Sequence, residues 1–322
     1  MERIEGVTAF EKHSKLSKLW DSSISSHKKF LNRNTSFFDR KYTENRVCPV
    51  CEESNEKILF HKEGGTYVQC ADCSMVYTNP CFKDECLEDY YSNNHNIQAE
   101  TVETDLEFYE RIYLEGLSLI RKENNHQGRI LDFGCSSGVF LDIARLKGWE
   151  KTFGIELNES EKIQAIDKGH QILSKKLEEI VEKFDAITLW DVFEHLKDGA
   201  YFLKLFQKML TQNGVIFLQI PNVMALAPRI MREDCNMFDG LEHVNLYSPQ
   251  TIKSLAEKCG LEIVQIETVI SEKNVLNNYL SYENGYTGKQ PSVEKLLGIF
   301  DDQKIHKNLL GYKMQIIMKK KK

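Results

Sequence analysis

"RILDFGCSSGVFLDIA", residues 129–144, reads as a buried strand, a glycine-bearing turn and the start of a helix. A turn of this kind between a strand and a helix usually holds the polar or charged part of a cofactor. A pyrophosphate turn reads G-x-G-x-x-G, because the backbone must approach the ligand closely. Here the glycines are Gly134 and Gly138, Ser136 stands at the middle-glycine position, and Asp132 ends the strand. The pattern is D-x-G-x-x-x-G. A carboxylate there is awkward beside a pyrophosphate and suits a ligand that carries positive charge.

Downstream of this stretch, short apolar runs alternate with helical patterns. "RILDF", "TFGIE", "HQILS", "FDAITLWD" and "GVIFLQIPN" read as five strands. "VFLDIARLKG", "ESEKIQAIDKG", "GAYFLKLFQKMLTQNG" and "SPQTIKSLAEKCG" read as helices, the last with a serine cap and a terminal glycine. The ending differs: "LEIVQIETVI" and "GYKMQIIMKK" are two further strands, with only a modest helix, "SVEKLLGIF", between them. The pattern predicts an α/β fold, a Rossmann-like seven-stranded sheet with its last strand antiparallel and helices on both faces.

Upstream, six of the nine cysteines lie before residue 90. Cys48 and Cys51 are separated from Cys70 and Cys73 by 18 residues, giving C-x2-C-x18-C-x2-C, the spacing of a small four-cysteine zinc ribbon. Each close pair offers two thiolates to a tetrahedral ion. Four protein ligands leave no open position, so the expected zinc is structural. Cys81 and Cys86 fit no ligand spacing and read as plain cysteines. The domain expectation is a helical arm over 1–46, built on Leu16, Leu19, Trp20, Phe30 and Leu31. The ribbon follows over 47–80, then a helical connector or lid over 81–127 and the main domain over 128–322. In the connector, Leu106, Tyr109, Ile112, Tyr113 and Leu117 share one helical face.

The net charge of −6 is unevenly spread. Residues 1–47 hold ten Lys/Arg against six Asp/Glu, Lys319–Lys322 add four positive charges, and 48–318 carry the balance of −14. Such an acidic body is a poor platform for a phosphate backbone, so nucleic acid is not the expected partner. No run approaches the roughly 18 apolar residues of a membrane span, and "MERIEGVTAFEKHSKLSKLW" lacks an apolar h-region. A cytoplasmic location is expected, and the oligomeric state is not legible.

These motifs resemble those of class I S-adenosylmethionine (SAM) dependent methyltransferases. Asp132, Gly134 and Gly138 match the family's first motif, and Glu156, 22 positions after Gly134, matches the acid that ends its second strand. The resemblance implies that the Gly134–Gly138 backbone, with Cys135, packs against the methionine and ribose portions of SAM. Asp132 would lie near the amino acid end and Glu156 would accept the ribose hydroxyls. Trp190 and Asp191, in "FDAITLWDVFEHLKD", would border the adenine and methionine parts. The final antiparallel pair of strands also matches.

An oxygen acceptor benefits from a base, and histidine suits that role near neutral pH. His195 follows the fourth strand, where ligands of open α/β sheets bind. His243, in "GLEHVNLYSP", is the favoured base, with Tyr247 as partner and Glu242 as a group that would orient the imidazole. The ribbon and this domain together resemble bacterial enzymes that methylate sugars and secondary metabolites. The acceptor expected on that resemblance is small or carbohydrate-like, nucleotide-linked or a precursor for surface polysaccharide biosynthesis. The alternatives are an RNA methyltransferase and a SAM-binding regulatory module without turnover.

Overall fold

A computed structural model describes residues 28–93, 105–280 and 301–321. Leu16, Leu19, Trp20 and the 292–300 helix predicted from the sequence lie outside them. The described part of the arm is not α-helical. A 3₁₀ turn, Lys28–Phe30, leads into a single bridge between Leu31 and Phe38, and then into β1 (Thr43–Glu44). Phe30 and Phe38 pack edge-on against Phe82 at 5.0 and 4.7 Å, so aromatic burial rather than a helical stripe orders this segment.

The cysteine module is a meander of β2 (Glu56–Lys62), β3 (Gly65–Cys70) and β4 (Val76–Thr78). It is followed by β5 (Cys81–Phe82), which pairs with β1, and by two helices, α1 (Asp84–Asn93) and α2 (Leu106–Glu123).

Beyond α2 the alternation read from the sequence is present: β6 (Arg129–Phe133), α3 (Val139–Leu146), β7 (Lys151–Ile155), α4 (Glu159–Asp167), β8 (Gln171–Ile172) and β9 (Phe184–Trp190). Then come α5 (Gly199–Met209), β10 (Leu210–Pro221), α6 (Leu226–Met231) and β11 (Asn245–Leu246). The chain continues through α7 (Pro249–Lys258), β12 (Leu261–Val269), α8 (Lys273–Leu280), α9 (Asp302–Lys307) and β13 (Lys313–Lys320). The large sheet has the order β12-β13-β10-β9-β6-β7-β8. β6 to β10 run parallel, and β13 is antiparallel to both of its neighbours.

Period-2 alternation gives the sheet two apolar faces. Ile130, Ala186, Val215, Phe217 and Ile317 pack with α2 and α3. Leu131, Ile187, Leu189, Ile216 and Leu218 pack with α5, α7 and the buried side of the cysteine module. Each such fully buried Val, Leu, Ile or Phe side chain contributes about 1.5–3 kcal/mol. "LTQNG", read from the sequence as the close of a helix, already belongs to β10, and a register shift between Leu210 and Val215 absorbs the turn. α7 begins as predicted, with Ser248 and Thr251 making reciprocal capping bonds and Pro249 in the first turn.

The cysteine meander is not a free-standing module. β11 adds to it as a fourth strand, Asn245 opposite Tyr77 and Leu246 opposite Val76. Arg46 clamps the joint: Nε donates to the Thr78 carbonyl at 3.0 Å, Nη1 to Lys197 O at 3.2 Å, and Nη2 to Val244 O at 2.6 Å.

Candidate active site

The loop after β6 is shaped by three residues with positive φ: Gly134 (79°), Ser136 (47°) and Gly138 (81°). Gly134 and Cys135 both donate backbone N–H to the Ile155 carbonyl, which pins the loop to the end of β7. A Cβ on Gly134 would meet Val192 Cγ2 at 2.7 Å, and one on Gly138 would meet His170 Cδ2 at 2.8 Å. Both positions therefore require glycine on conformation and on space. Glu156 completes the turn. Its carboxylate accepts the backbone N–H of Ser136 at 2.9 Å and those of Leu157 and Asn158 at 2.7 and 2.8 Å.

Above the loop lies a narrow open cleft. Asp132, Gly134, Cys135, Trp190 and Asp191 line it, together with Tyr109 and Tyr113 of α2 and Gln219 of β10. Asp132 is buried and accepts the Thr188 hydroxyl at 2.7 Å. Burial pushes its carboxyl well above the usual carboxylate range, against the Thr188 bond and with help from Glu156. Trp190 is wedged among Tyr113, Phe140 and Phe217 at centroid distances of 4.8, 5.1 and 4.4 Å. Asp191, at φ 54°, accepts from Lys313 Nζ at 2.5 Å and Gln219 Nε2 at 3.0 Å. Among the described residues, four buried polar atoms of the cleft have no partner: Ser136 Oγ, Ser137 Oγ, Trp190 Nε1 and Asp191 Oδ1. Buried polar groups are normally satisfied, so this wall suits a polar ligand that supplies the missing partners.

A second group lies just past Asp191, where the 3₁₀ turn Phe193–His195 meets the loop before β11. Glu194 is 1% exposed, with neither carboxylate oxygen hydrogen-bonded. Its Oε1 is 4.0 Å from both His195 Nε2 and His243 Nε2, and the two imidazoles stand edge to face at 5.0 Å. Burial raises the Glu194 carboxyl, Asp191 adds to the rise and His243 opposes it. Burial lowers His195 to about 3, with His243 adding to the effect. His243 is also pulled down by burial, but Asp239 and Glu194 outweigh that and its pKa is raised. His243 Nδ1 lies 2.8 Å from the Met237 carbonyl and 3.3 Å from Asp239 Oδ2.

Two expectations about this group need correction. The carboxylate that orients His243 is Asp239, whose oxygens also accept the backbone N–H of Leu241, Glu242 and His243. Glu242 accepts instead from Tyr90 Oη at 2.5 Å, and its other oxygen is 4.0 Å from His195. Tyr247 does not join His243. Its ring is fully buried against Phe193 at 5.3 Å, its hydroxyl has no hydrogen bond, and burial raises its pKa. The β11 pairing and the start of α7 carry Tyr247 into the core.

Cys48, Cys51, Cys70 and Cys73 converge as the spacing predicted, with all four sulfurs within 4.8 Å of one another. Cys48–Cys73 and Cys51–Cys70 sulfurs are 3.4 Å apart. Tetrahedral zinc at about 2.3 Å from each sulfur needs a sulfur spacing of this order, so the donor set fits the ion. From the cysteine knuckles the meander reaches directly to the His243 loop. Tyr67 Oη accepts from Gly240 N at 3.0 Å, Thr78 N donates to the Val244 carbonyl at 3.0 Å, and a Cβ on Gly65 would lie 2.3 Å from Gly240 O.

The sheet order, the glycine loop and the cleft at the carboxyl ends of the parallel strands agree with a match to the methyltransferase domain family over residues 106–266, half of the chain. The chain belongs to that family. Curated relatives include ubiquinone biosynthesis O-methyltransferases of Pseudomonas putida strain F1, 25% identical, and Dechloromonas aromatica, 27% identical. Each aligns over 104 residues, 29% of this chain and 44% of the relative. The chain thus spans less than half the length of the curated relatives it matches. Among solved structures, a SAM-dependent methyltransferase from Clostridium acetobutylicum has a TM-score of 0.48 at 14% identity, covering 71% of this chain and all of its own. The plantazolicin methyltransferase, solved with SAH, gives 0.48 at 14% identity, covering 73% and 94%.

Three residues of these two side-chain groups, Glu194, Asp239 and Lys313, were not singled out from the sequence. Glu194 stood beside His195 in "FEHL", and an acid adjoining a candidate histidine was the available signal. Asp239 lay four residues before His243. Lys313 had no signal at all, because only the antiparallel insertion of β13 brings it to Asp191. Tyr109 and Tyr113 were read as one packing face of a helix, and they also wall the cleft.

Proposed function

We propose that this methyltransferase moves a methyl group from SAM to an oxygen of a small or carbohydrate-like acceptor. Supporting the cofactor assignment is the wall of unpartnered buried polar atoms around a glycine loop that follows Asp132, beside which a sulfonium or ammonium charge is favourable. Glu156, already anchored to the loop, takes the ribose. In the transfer, the sulfur–carbon bond breaks as the oxygen–carbon bond forms, sulfur keeps the electron pair, and the acceptor's proton leaves. Alignment of the reactants can supply about 7–11 kcal/mol. Glu194, His195 and His243, beyond Asp191 at the end of the cleft-lining strand, form the acceptor side that relieves the oxygen of its proton.

The four cysteines hold a structural zinc that keeps the meander, and through it the His243 loop, in place. Among the described residues no helix is long and apolar enough to cross a membrane.

Calorimetry tests the cofactor assignment: SAM and its demethylated product should bind at micromolar levels, and Gly134→Val should weaken both at least a hundredfold. Absence of binding to the unaltered protein, or unchanged binding by Gly134→Val, would sink it.

A further inference from the structure

Glu194, His195 and His243 are more than a set of proton carriers. We infer that they form a divalent-cation site, distinct from the four cysteines, on the acceptor side of the cleft. Each contributes one ligand atom, and the three atoms lie within 4.8 Å of one another. The decisive observation is Glu194. It is 1% exposed, and among the described residues neither oxygen is hydrogen-bonded to another side chain, an arrangement that favours either a proton or a cation on the carboxylate. Apart from His243 itself, the cationic side chains around Glu194 among the described residues are committed elsewhere. Lys313 Nζ is bound to Asp191, Arg46 is committed to carbonyls and Asn245, and Lys197 pairs with Glu44 and Asp84.

The histidines are held as ligands are held. His243 Nδ1 faces the Met237 carbonyl and Asp239, which leaves Nε2 directed at Glu194. A carbonyl or carboxylate behind one ring nitrogen fixes the tautomer that presents a lone pair from the other. His195 also turns Nε2 toward Glu194, at 4.0 Å, while the Glu242 carboxylate lies 4.0 Å from its Nδ1, beyond hydrogen-bond distance. Two imidazoles and one carboxylate suit a divalent first-row transition ion and leave positions open for outside oxygens. Side-chain exposures of 16% for His195 and 21% for His243 leave the group reachable from solvent. The role rests on the function proposed above: an acceptor hydroxyl bound to the ion becomes more acidic, which would be how this side of the cleft removes its proton.

Mn²⁺ is the probe, because thiolates select softer ions and the cysteine site can be filled first with one equivalent of zinc. On the zinc-loaded full chain, Mn²⁺ should bind at one equivalent, and its pulsed EPR spectrum should carry imidazole nitrogen couplings. Glu194→Gln and His243→Asn should each weaken that binding at least tenfold. Both variants would first be checked for folding by SAM calorimetry, which does not depend on the ion. No stoichiometric Mn²⁺ binding by the unaltered chain, a bound ion without nitrogen couplings, or undiminished binding by a variant that still binds SAM would each overturn the site. Loss of SAM binding in the unaltered chain with Mn²⁺ binding intact would instead remove the cofactor assignment and leave the cation site standing.

Discussion

The two sides of the cleft are built in opposite ways. The cofactor side is local: Asp132, Gly134, Ser136 and Gly138 fall within seven residues, and Glu156 joins them through a neighbouring parallel strand. The proposed acceptor side is assembled from a distance. Glu194 and His195 come from the turn after β9, and His243 comes from a loop nearly fifty residues on that is tied to the cysteine meander. A loop held by its own strand and helix tolerates loss of remote elements. A loop held by another module depends on that module.

The sharpest way to break the comparison is to disable the proposed zinc site at the cysteines, by Cys70→Ser or by a chelator. Zinc binding in small modules carries about 10–16 kcal/mol that is also folding free energy. Hydrogen exchange should therefore show β3, β4 and residues 239–246 losing protection together, while β6 and β9 keep theirs. If 239–246 stays protected after the meander opens, the dependence is wrong.

Smaller but still severe is Gly138→Val. The substitution forces a φ of 81° on a branched residue and drives its Cβ into His170. The strain amounts to about 1–3 kcal/mol and the clash adds a similar amount. Chemical denaturation should show this loss, and SAM affinity should fall while Mn²⁺ binding at Glu194 persists. Loss of both ligands in a folded variant would mean that the two sides are not separately built.

Arg46→Met probes the joint from the other direction. Removing a guanidinium that serves Thr78, Lys197 and Val244 should cost about 2–3 kcal/mol. Turnover, once an acceptor is known, should fall several-fold at unchanged SAM affinity. A fall in SAM affinity instead would place Arg46 on the cofactor side.

The same contrast explains what could be read from the sequence. The seven strands, the glycine loop and the four-cysteine cluster are short-range patterns, set by period-2 burial, by turns that need positive φ and by ligand spacing. They were legible, and β8, predicted over five residues, merely shrank to two. Asp239 and Lys313 were not, because their importance arises from pairing between elements far apart in the chain. Tyr247 misled for a related reason. It lay four residues from His243 in a suggestive segment, but the strand pairing of Asn245 and Leu246 fixes which neighbours enter the core. Joining of the cysteine meander to β11 was likewise invisible, since a two-residue strand carries no periodic signal.

Asp132 gives the finest test, because it asks whether the cofactor side is also complete electrostatically. Burial raises its folded pKa, and an unfolded aspartate titrates near about 3.9. A raised folded pKa means that the stability linked to this group is fully present below about pH 4 and is lost as pH rises through the folded value. Asp132→Asn carries no such charge, so its melting temperature should gain on the unaltered protein across that window. A cationic ligand reverses the penalty by favouring the carboxylate. SAM binding within the window should then release up to about one proton per chain, and Asp132→Asn should release none. Calorimetry in two buffers of different ionisation enthalpy measures that difference directly. Equal proton release by the two proteins would mean that the Asp132 carboxyl is already ionised before the ligand arrives, and that the loop, not the charge, selects the cofactor.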